Sequence, residues 1–390
     1  MNDEELIVEA VEPIEDKVVD KLAAAKKIMA SLNAAKKKAK PLDTRPAVYI
    51  AGEHPELLDH GIVRSSNTAF NVGVHGGLRR GILTIFWGKE NTGKSSAAYE
   101  FIAQVQKEGG VAAVVHSESL FPAESAKELG VNLDELIMIQ DFTSGEDAVN
   151  SLFKLMYDVK TGVPLNILDI VVIDSLASLV PKYVVDKMDD EGFEAQSMGA
   201  HPKMITGMVN RIFGTGASAK TAIIGINQLR EKIGGYGNPE TQGGGHALAH
   251  MGKLVCKFAT YSADRIFEGK GDDKKRVGHT VHVIIEKNQS GLGGHPGEEF
   301  SYDVYYHKGS DSIQPIIDAA LVDGYIEEPS KAWFQVLPKE IDFIKEMGLW
   351  DEKKNAPLKI QGKPKLREIV ASNEKLLNRL RDLVEKTEGI

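Results

Sequence analysis

The run Gly88-Lys89-Glu90-Asn91-Thr92-Gly93-Lys94-Ser95 fits the pattern Gly-x-x-x-x-Gly-Lys-Ser/Thr at every position. It follows the apolar run Ile82–Trp87 and opens a helix-length segment, Ser95–Lys107. Strand, glycine turn and helix in that order aim backbone N–H groups at one point in front of a helix N-terminus, which is how a chain holds phosphate. Gly88, Lys89, Glu90, Asn91, Thr92, Gly93, Lys94, Ser95 and Ser96 are therefore expected to line the phosphates of a nucleotide. Lys94 is expected to reach the β- and γ-phosphates and Ser95 to offer its hydroxyl to Mg²⁺. A chance glycine turn would explain neither the strand before the motif nor the helix after it.

The rest of the chain reads as the same architecture repeated. Short apolar runs recur at Ile82–Trp87, Val111–Val115, Leu136–Ile139, Ile170–Ile173, Ala222–Ile226 and Val281–Ile285, with helix-length segments such as Asp147–Val159 between several of them. Fully apolar strands alternating with helices predict an α/β fold whose central sheet is largely parallel and covered on both faces. After about Gly309 the pattern changes. Ile313–Leu321 and Lys365–Glu385 read as helices with little strand signal between them. Three domains are expected: 1–60, a helix and linker; 61–310, the core; and 311–390, a small C-terminal domain.

Two features of the sheet's expected partners carry chemistry. Ile170-Val171-Val172-Ile173-Asp174 is an apolar strand ending in a carboxylate, so Asp174 is expected to hold the Mg²⁺ together with Ser95. Glu118 follows the strand Val111–Val115, at the carboxyl edge of the sheet where open α/β folds bind ligands. That position lets it activate a water near the γ-phosphate, although a solvated loop glutamate would look the same in sequence.

Composition bounds the rest. The chain has 390 residues and one cysteine, Cys256, so it can form no internal disulfide and no cysteine metal site. That usage fits a reducing compartment, and with no signal peptide or spanning segment a cytoplasmic protein with no membrane partner is expected. The net charge of −9 argues weakly against nucleic acid, but it is unevenly distributed. Residues 1–16 carry seven acids and no Lys or Arg, and residues 17–40 carry eight lysines and one acid, Asp20. Val18, Leu22, Ala25, Met29 and Leu32 recur at helical spacing, so residues 17–39 read as an amphipathic helix. Its stripe is open to two readings, a solvated arm or a surface for another subunit.

Beyond the strand Ala222–Ile226 comes the segment Asn227–Gly245, NQLREKIGGYGNPETQGGG. This run resembles the second DNA-binding loop of the bacterial RecA recombinases. The resemblance extends through Phe70–Trp87, through Glu118 with Lys127–Val131, and through Asp174-Ser175-Leu176. Ser197-Met198-Gly199 resembles the first DNA loop, and Ala332-Trp333-Phe334 the junction with the C-terminal domain. The resemblance covers roughly residues 61–335. It implies a RecA-type core with an N-terminal polymerisation helix, forming a helical homopolymer on single-stranded DNA. It also implies strand exchange with homologous double-stranded DNA, driven by DNA-dependent hydrolysis of ATP with Mg²⁺ between protomers, and traffic with single-strand-binding and loader proteins.

The resemblance also assigns roles to single residues. Gln228 would sense the γ-phosphate, and Lys287 would reach a neighbour's nucleotide. With Lys94 and Glu118 they make the expected catalytic set. Met198 and Ile233 would wedge between bases. Gly199, Lys203, Thr206, Arg230, Lys232, Tyr236, Gly244, Gly245 and His246 would line the DNA path.

The chain departs from the family pattern at several points, in the manner of a divergent, phage-type member. The second loop is one residue shorter. Ser125 and Pro122 stand where the family has an adenine-stacking tyrosine and an acid. In Lys287-Asn288-Gln289 the first of two expected lysines remains and the second is a glutamine, with Lys308 or Arg276 as candidates to replace it in space. Two rivals share parts of the pattern. A hexameric helicase of the DnaB type would share Gly88–Ser95 and Asp174 but not the loop after Asn227. A non-catalytic filament protein would not need Glu118, Asp174 and Gln228 together.

Overall fold

In a computed structural model the chain is described over residues 21–40, 43, 45–191, 199–213, 219–231, 240–242, 248, 251–269 and 273–387. It forms two compact units, Met1–Asp59 and His60–Ile390.

In the first unit the helix Lys21–Ala39 buries none of its residues. Its polar side holds the following segment. Asn33 Oδ1 accepts from the backbone N–H groups of Ala47 and Val48 at 2.7 and 3.0 Å. Lys36 and Arg45 both clasp Asp43, each at 2.9 Å. The Arg45 guanidinium, against the cost of burial, holds the Asp43 carboxyl well below the usual carboxylate range. Of the expected stripe, Val18 lies outside the described residues, and Leu22 and Leu32 are 54% and 48% exposed.

The second unit is built on one large sheet. Its strands among the described residues are β1 (Leu83–Gly88), β2 (Ala112–His116), β3 (Leu136–Ile139), β4 (Ile170–Asp174), β5 (Ala222–Glu231), β6 (Glu240–Gln242), β7 (Leu254–Ala259), β8 (Arg265–Glu268), β9 (Lys275–Asn288), β10 (Glu299–Tyr305) and β11 (Gly309–Ser310). They lie in the order β11-β10-β9-β7-β1-β5-β4-β2-β3, with β6 added to β5 and β8 to β9. From β7 to β3 the pairing is parallel. From β7 to β11 it is antiparallel. All six apolar runs anticipated from sequence are strands. Five further strands, β6, β7, β8, β10 and β11, had no such signal: Lys257 breaks β7, polar residues alternate through β10, and the other three are only two to four residues long.

Period-two alternation in β1 assigns the two cores. Phe86 faces the helix Lys94–Lys107, packing with Ala97, Phe101 and Phe70. Leu83, Ile85 and Trp87 face the helices Gly145–Met156 and Ala200–Phe213, where Leu152, Ile205 and Met208 cover them. Each fully buried side chain of this size contributes about 1.5–3 kcal/mol. The helix Gly145–Met156 starts where Ser144 Oγ accepts from Asp147 N at 3.2 Å, a cap worth ~1 kcal/mol. No helix among the described residues is long and apolar enough to cross a membrane.

The C-terminal region corrects the sequence reading. Between its helices lies a three-stranded antiparallel sheet of Ile326–Ser330, Trp333–Val336 and Ile360–Gln361. These strands are two to five residues long, too short to register as alternation. Lys365–Glu385 is also two helices, Lys363–Ser372 and Glu374–Thr387. Asn373 separates them, its Oδ1 accepting from Leu376 N at 3.1 Å.

One buried acid yields a stability test. Glu100, 4% exposed, accepts from Ser310 N at 2.8 Å, and burial raises its pKa. Beside it the Tyr302 hydroxyl, its own pKa raised by burial and by the charge of Glu100, has no hydrogen-bond partner among the described residues. A raised carboxyl costs stability as pH climbs above its ordinary value of 4.5, and costs nothing below it. Glu100→Gln keeps the acceptor and adds a donor for Tyr302. It is expected to raise stability at pH 7 by about 1 kcal/mol, the typical worth of one added hydrogen bond. Thermal melts at pH 7 and near pH 4.5 check this. The gain should shrink at the lower pH, and a loss at pH 7 contradicts it.

Candidate functional site

The loop Gly88–Ser95 leaves the end of β1 with its glycines where no other residue fits. A Cβ on Gly88 (φ 151°) would lie 2.3 Å from the Phe258 carbonyl oxygen, so β7 and β1 can approach only at a glycine. Gly93 (φ 88°) turns the chain into the helix Lys94–Lys107. Lys94, 7% exposed, folds back to donate to the carbonyls of Gly88 at 3.2 Å and Lys89 at 2.5 Å. Thr92 Oγ1 shares the Lys89 carbonyl at 2.8 Å. Burial lowers the pKa of Lys94, while the charges of Asp174, Glu90 and Glu118 oppose that. An ammonium held this way is stabilised most by an anion it can reach.

Asp174 ends β4 beside this loop, 6% exposed. Tyr99 OH donates to its Oδ2 at 3.3 Å, and Ser95 also bonds it. Burial raises the Asp174 pKa, with the Ser95 and Tyr99 hydrogen bonds, His116 and Lys94 acting against the rise. The peptide bond Asp174–Ser175 is cis. A serine hydroxyl and a carboxylate beside a phosphate loop are hard oxygen donors, and they fit Mg²⁺. Among the described residues no cluster of three or more His, Cys, Asp or Glu could hold a metal ion.

His116, missed from sequence, pairs in register with Asp174. It is 6% exposed, neither ring nitrogen has a hydrogen-bond partner among the described residues, and the ring stands edge-on to Phe121 at 5.5 Å.

Glu118 and Gln228 are 110 residues apart in the chain and meet in space. Gln228 Nε2 donates to Glu118 Oε1 at 3.4 Å. Gln228 pairs with Gly88 in the ladder of β5 on β1, so it stands beside the first residue of the phosphate loop. β5 then runs on past the sheet into a hairpin with β6, pairing Leu229 with Gln242, Arg230 with Thr241 and Glu231 with Glu240. Gln228 is therefore both a neighbour of the phosphate loop and the base of that hairpin.

Most expected DNA contacts fall beyond what is described: Met198, Lys232, Ile233, Tyr236, Gly244, Gly245 and His246 all lie outside the described residues. Gly199 (φ 87°) precedes the helix Ala200–Phe213. Lys203 is exposed on its first turn, and Thr206 donates its hydroxyl to Pro202 O at 2.8 Å within the helix. Gly199 and Lys203 border a cavity of about 760 Å³ floored by Val149, Met204 and Met208.

A second cavity, about 580 Å³, opens beside Asn91, Gly93 and Ser96. Ser125 lies on its wall, as do Tyr306, with the Arg276 guanidinium 5.5 Å from its ring centre, and Lys308. Arg276 and Lys308 thus line the cleft beside the phosphate loop.

Lys287 lies at the end of β9. A bulge between Ile285 and Lys287 shifts the register there, and Trp87 Nε1 donates to Glu286 Oε2 at 2.8 Å. A bulge re-aims the residue that follows it. Burial lowers the Lys287 pKa, and the charge of Lys253 lowers it further.

Gly88→Ala tests the loop geometry. The added Cβ meets backbone, and the positive φ adds strain. The variant is expected to melt lower by several degrees, roughly 1–3 kcal/mol of strain. It is also expected to lose the rise in melting temperature that a bound nucleotide gives the parent. A variant that keeps that rise contradicts the account.

The comparisons with known proteins agree with this geometry. Residues 44–311 match the RecA N-terminal domain family. Protein RecA of Lactococcus lactis subsp. cremoris (strain MG1363) is 34% identical over 279 residues, 70% of this chain and 66% of that protein's own length. Protein RecA of Thermus aquaticus is 35% identical over 298 residues, 74% of this chain and 79% of its own. For Protein RecA of Chlamydia pneumoniae the figures are 31% over 331 residues, 84% and 88%. With a family match over most of its length and the phosphate loop, Asp174 and Gln228 at one edge of a largely parallel sheet, the chain belongs to the RecA family.

Proposed function

We propose that this chain is an ATP-dependent DNA recombinase. It assembles as a helical filament on single-stranded DNA, pairs that strand with homologous duplex, and hydrolyses ATP between protomers. The observation that carries this reading is the position of Gln228, which pairs with Gly88, bonds Glu118 and begins the β5–β6 hairpin. A residue so placed can report the state of a nucleotide to a DNA loop.

The loop amides of Gly88–Ser95 hold the phosphates, and Lys94 exchanges its bonds to the Gly88 and Lys89 carbonyls for phosphate oxygens. Ser95 and Asp174 hold the Mg²⁺, which when bound neutralises phosphate charge. Glu118 orients and deprotonates the attacking water, and Gln228 contacts the γ-phosphate. Lys287 reaches a nucleotide on a neighbouring protomer. The base lies in the cleft beside Ser125, where Tyr306 offers a stacking face. This division of labour is electrostatic positioning, which supplies most of the catalysis in phosphoryl transfer.

DNA is held through its backbone by Gly199, Lys203, Thr206, Arg230, Lys232, Tyr236, Gly244, Gly245 and His246. Main-chain and basic contacts of this kind read no sequence. Met198 and Ile233 wedge between bases, at a cost of about a few kcal/mol offset by the backbone contacts. Homology is then read by base pairing. Residues 1–60 join protomers through the helix stripe that includes the exposed Leu22 and Leu32, and residues 311–390 form an accessory domain. The protein works in the cytoplasm with single-strand-binding and loader proteins.

A strand-exchange assay with ATP, with ADP and with no nucleotide tests the reading. Exchange is expected with ATP alone, and Lys94→Ala is expected to abolish both hydrolysis and exchange. Exchange independent of nucleotide would overturn it.

Glu118→Gln keeps shape but removes the base. It should bind ATP and assemble on DNA while turnover falls about 100-fold or more. Turnover at the parental rate removes Glu118 from the mechanism.

A further inference from the structure

We propose that Lys253 and Lys287 form a two-cation site that takes the terminal phosphate of a nucleotide bound to a second copy of this chain, with Lys253 supplying the charge that position 289 lacks. The inference rests on the reading that hydrolysis takes place between protomers, and it identifies a residue that reading did not contain.

The geometry begins with the ladder of β9 on β7, where Asn288 pairs with Leu254. One step further, Gln289 N donates to Lys253 O at 2.6 Å. Lys253 and Gln289 are therefore cross-strand neighbours, although they lie 36 residues apart in sequence. Lys253 Nζ donates to Gln289 Oε1 at 3.4 Å. The neutral amide holds the ammonium of the adjacent strand. Lys253 is exposed, and among the described residues no carboxylate pairs with it. Arg80 provides the contrast near the same edge: its charge is met by Asp169 at 2.7 Å. Lys287, two residues before Gln289, feels the charge of Lys253. Two ammonium groups brought together cost free energy unless an anion lies between them.

The sheet topology says that this anion is not the chain's own nucleotide. The phosphate loop leaves the carboxyl end of β1, after Gly88. Lys253 donates its backbone N–H to Leu83 O at 2.9 Å, at the other end of the same strand. From Leu83 to Gly88 is roughly 16 Å at about 3.3 Å per residue. The lysine pair thus stands on the opposite edge of the sheet from its own phosphate loop. A phosphate that reaches it must come from another molecule. Stacking copies so that one protomer's phosphate edge faces the next protomer's lysine edge brings the two halves together, and such head-to-tail contact builds an open helix. Arg276 and Lys308, the substitutes considered from sequence, line the cleft beside the phosphate loop and so lie on the wrong side to act on a neighbour's phosphate.

The test moves the charge across the ladder. Lys253→Ala and the milder Lys253→Gln remove it, and the double variant Lys253→Ala with Gln289→Lys puts it back on the adjacent strand. Turnover with single-stranded DNA is expected to fall at least about tenfold in both single variants, a modest share of what a trans cation contributes elsewhere. The double variant should recover most of it. Affinity of DNA-free protomers for a fluorescent ADP should stay within about twofold, because Lys253 is remote from the protomer's own nucleotide. Parental DNA-stimulated turnover in Lys253→Gln, or no recovery in the double variant, overturns the proposal. Equal loss of single-stranded DNA affinity with ADP and with ATP would also overturn it, by making the anion a DNA phosphate. A parent protein without DNA-stimulated turnover would instead refute the proposed function.

Discussion

The parallel register of four strands is the constraint on which the site depends. β1 pairs with β5 so that Gly88 meets Gln228, and β2 pairs with β4 so that His116 meets Asp174. Because the strands are parallel, their carboxyl ends share one edge, and every residue that leaves a strand there enters the same small volume. The register is fixed from within. A slip of one residue in β1 would turn Leu83, Ile85 and Trp87 away from their helices and bring Thr84 and Phe86 to that face. The nucleotide site thus inherits its geometry from hydrophobic alternation several residues away.

That edge concentrates buried charge. Lys94 and Asp174 are both nearly inaccessible, and burial pushes each toward its neutral form. Acting against this are their mutual attraction, the charges of Glu90 and Glu118 on Lys94, and the Ser95 and Tyr99 hydroxyls and His116 on Asp174. A nucleotide with its cation would supply the missing counter-charges, so the site gains more from its ligand than an exposed pair would. At the opposite edge the Lys253 ammonium is held by the neutral Gln289 amide, and its charge is felt by Lys287.

How much of this was legible in sequence follows from distance along the chain. The phosphate loop is eight consecutive residues, so its chemistry was written locally, and Asp174 could be read from the apolar run before it. Five of the six apolar runs were legible because parallel strands buried on both faces read as continuous apolar stretches, and the sixth, Val281–Ile285 in the antiparallel β9, because its own run is apolar apart from His282. β7 was not, since Lys257 interrupts it, although it packs directly against β1. The C-terminal sheet was missed because strands of two to five residues carry too little alternation. Lys253 could not be found at all without the ladder: nothing in residues 253 or 289 says that they are neighbours. His116 was overlooked for a similar reason, its significance arising from Asp174 on the next strand. Glu118 was read from its place after a strand and Gln228 from a resemblance, and the contact between them comes from the geometry alone.

The central claim is that Gln228 couples the nucleotide to the β5–β6 hairpin, which is proposed to hold DNA. The most direct measurement is the affinity for single-stranded DNA with a non-hydrolysable ATP analogue and with ADP, in the parent and in Gln228→Ala. The account predicts that the parent binds much more tightly with the analogue and that Gln228→Ala binds almost equally in both states, because the link between phosphate and hairpin is cut. A Gln228→Ala protein that keeps the parent's ratio of affinities would contradict it.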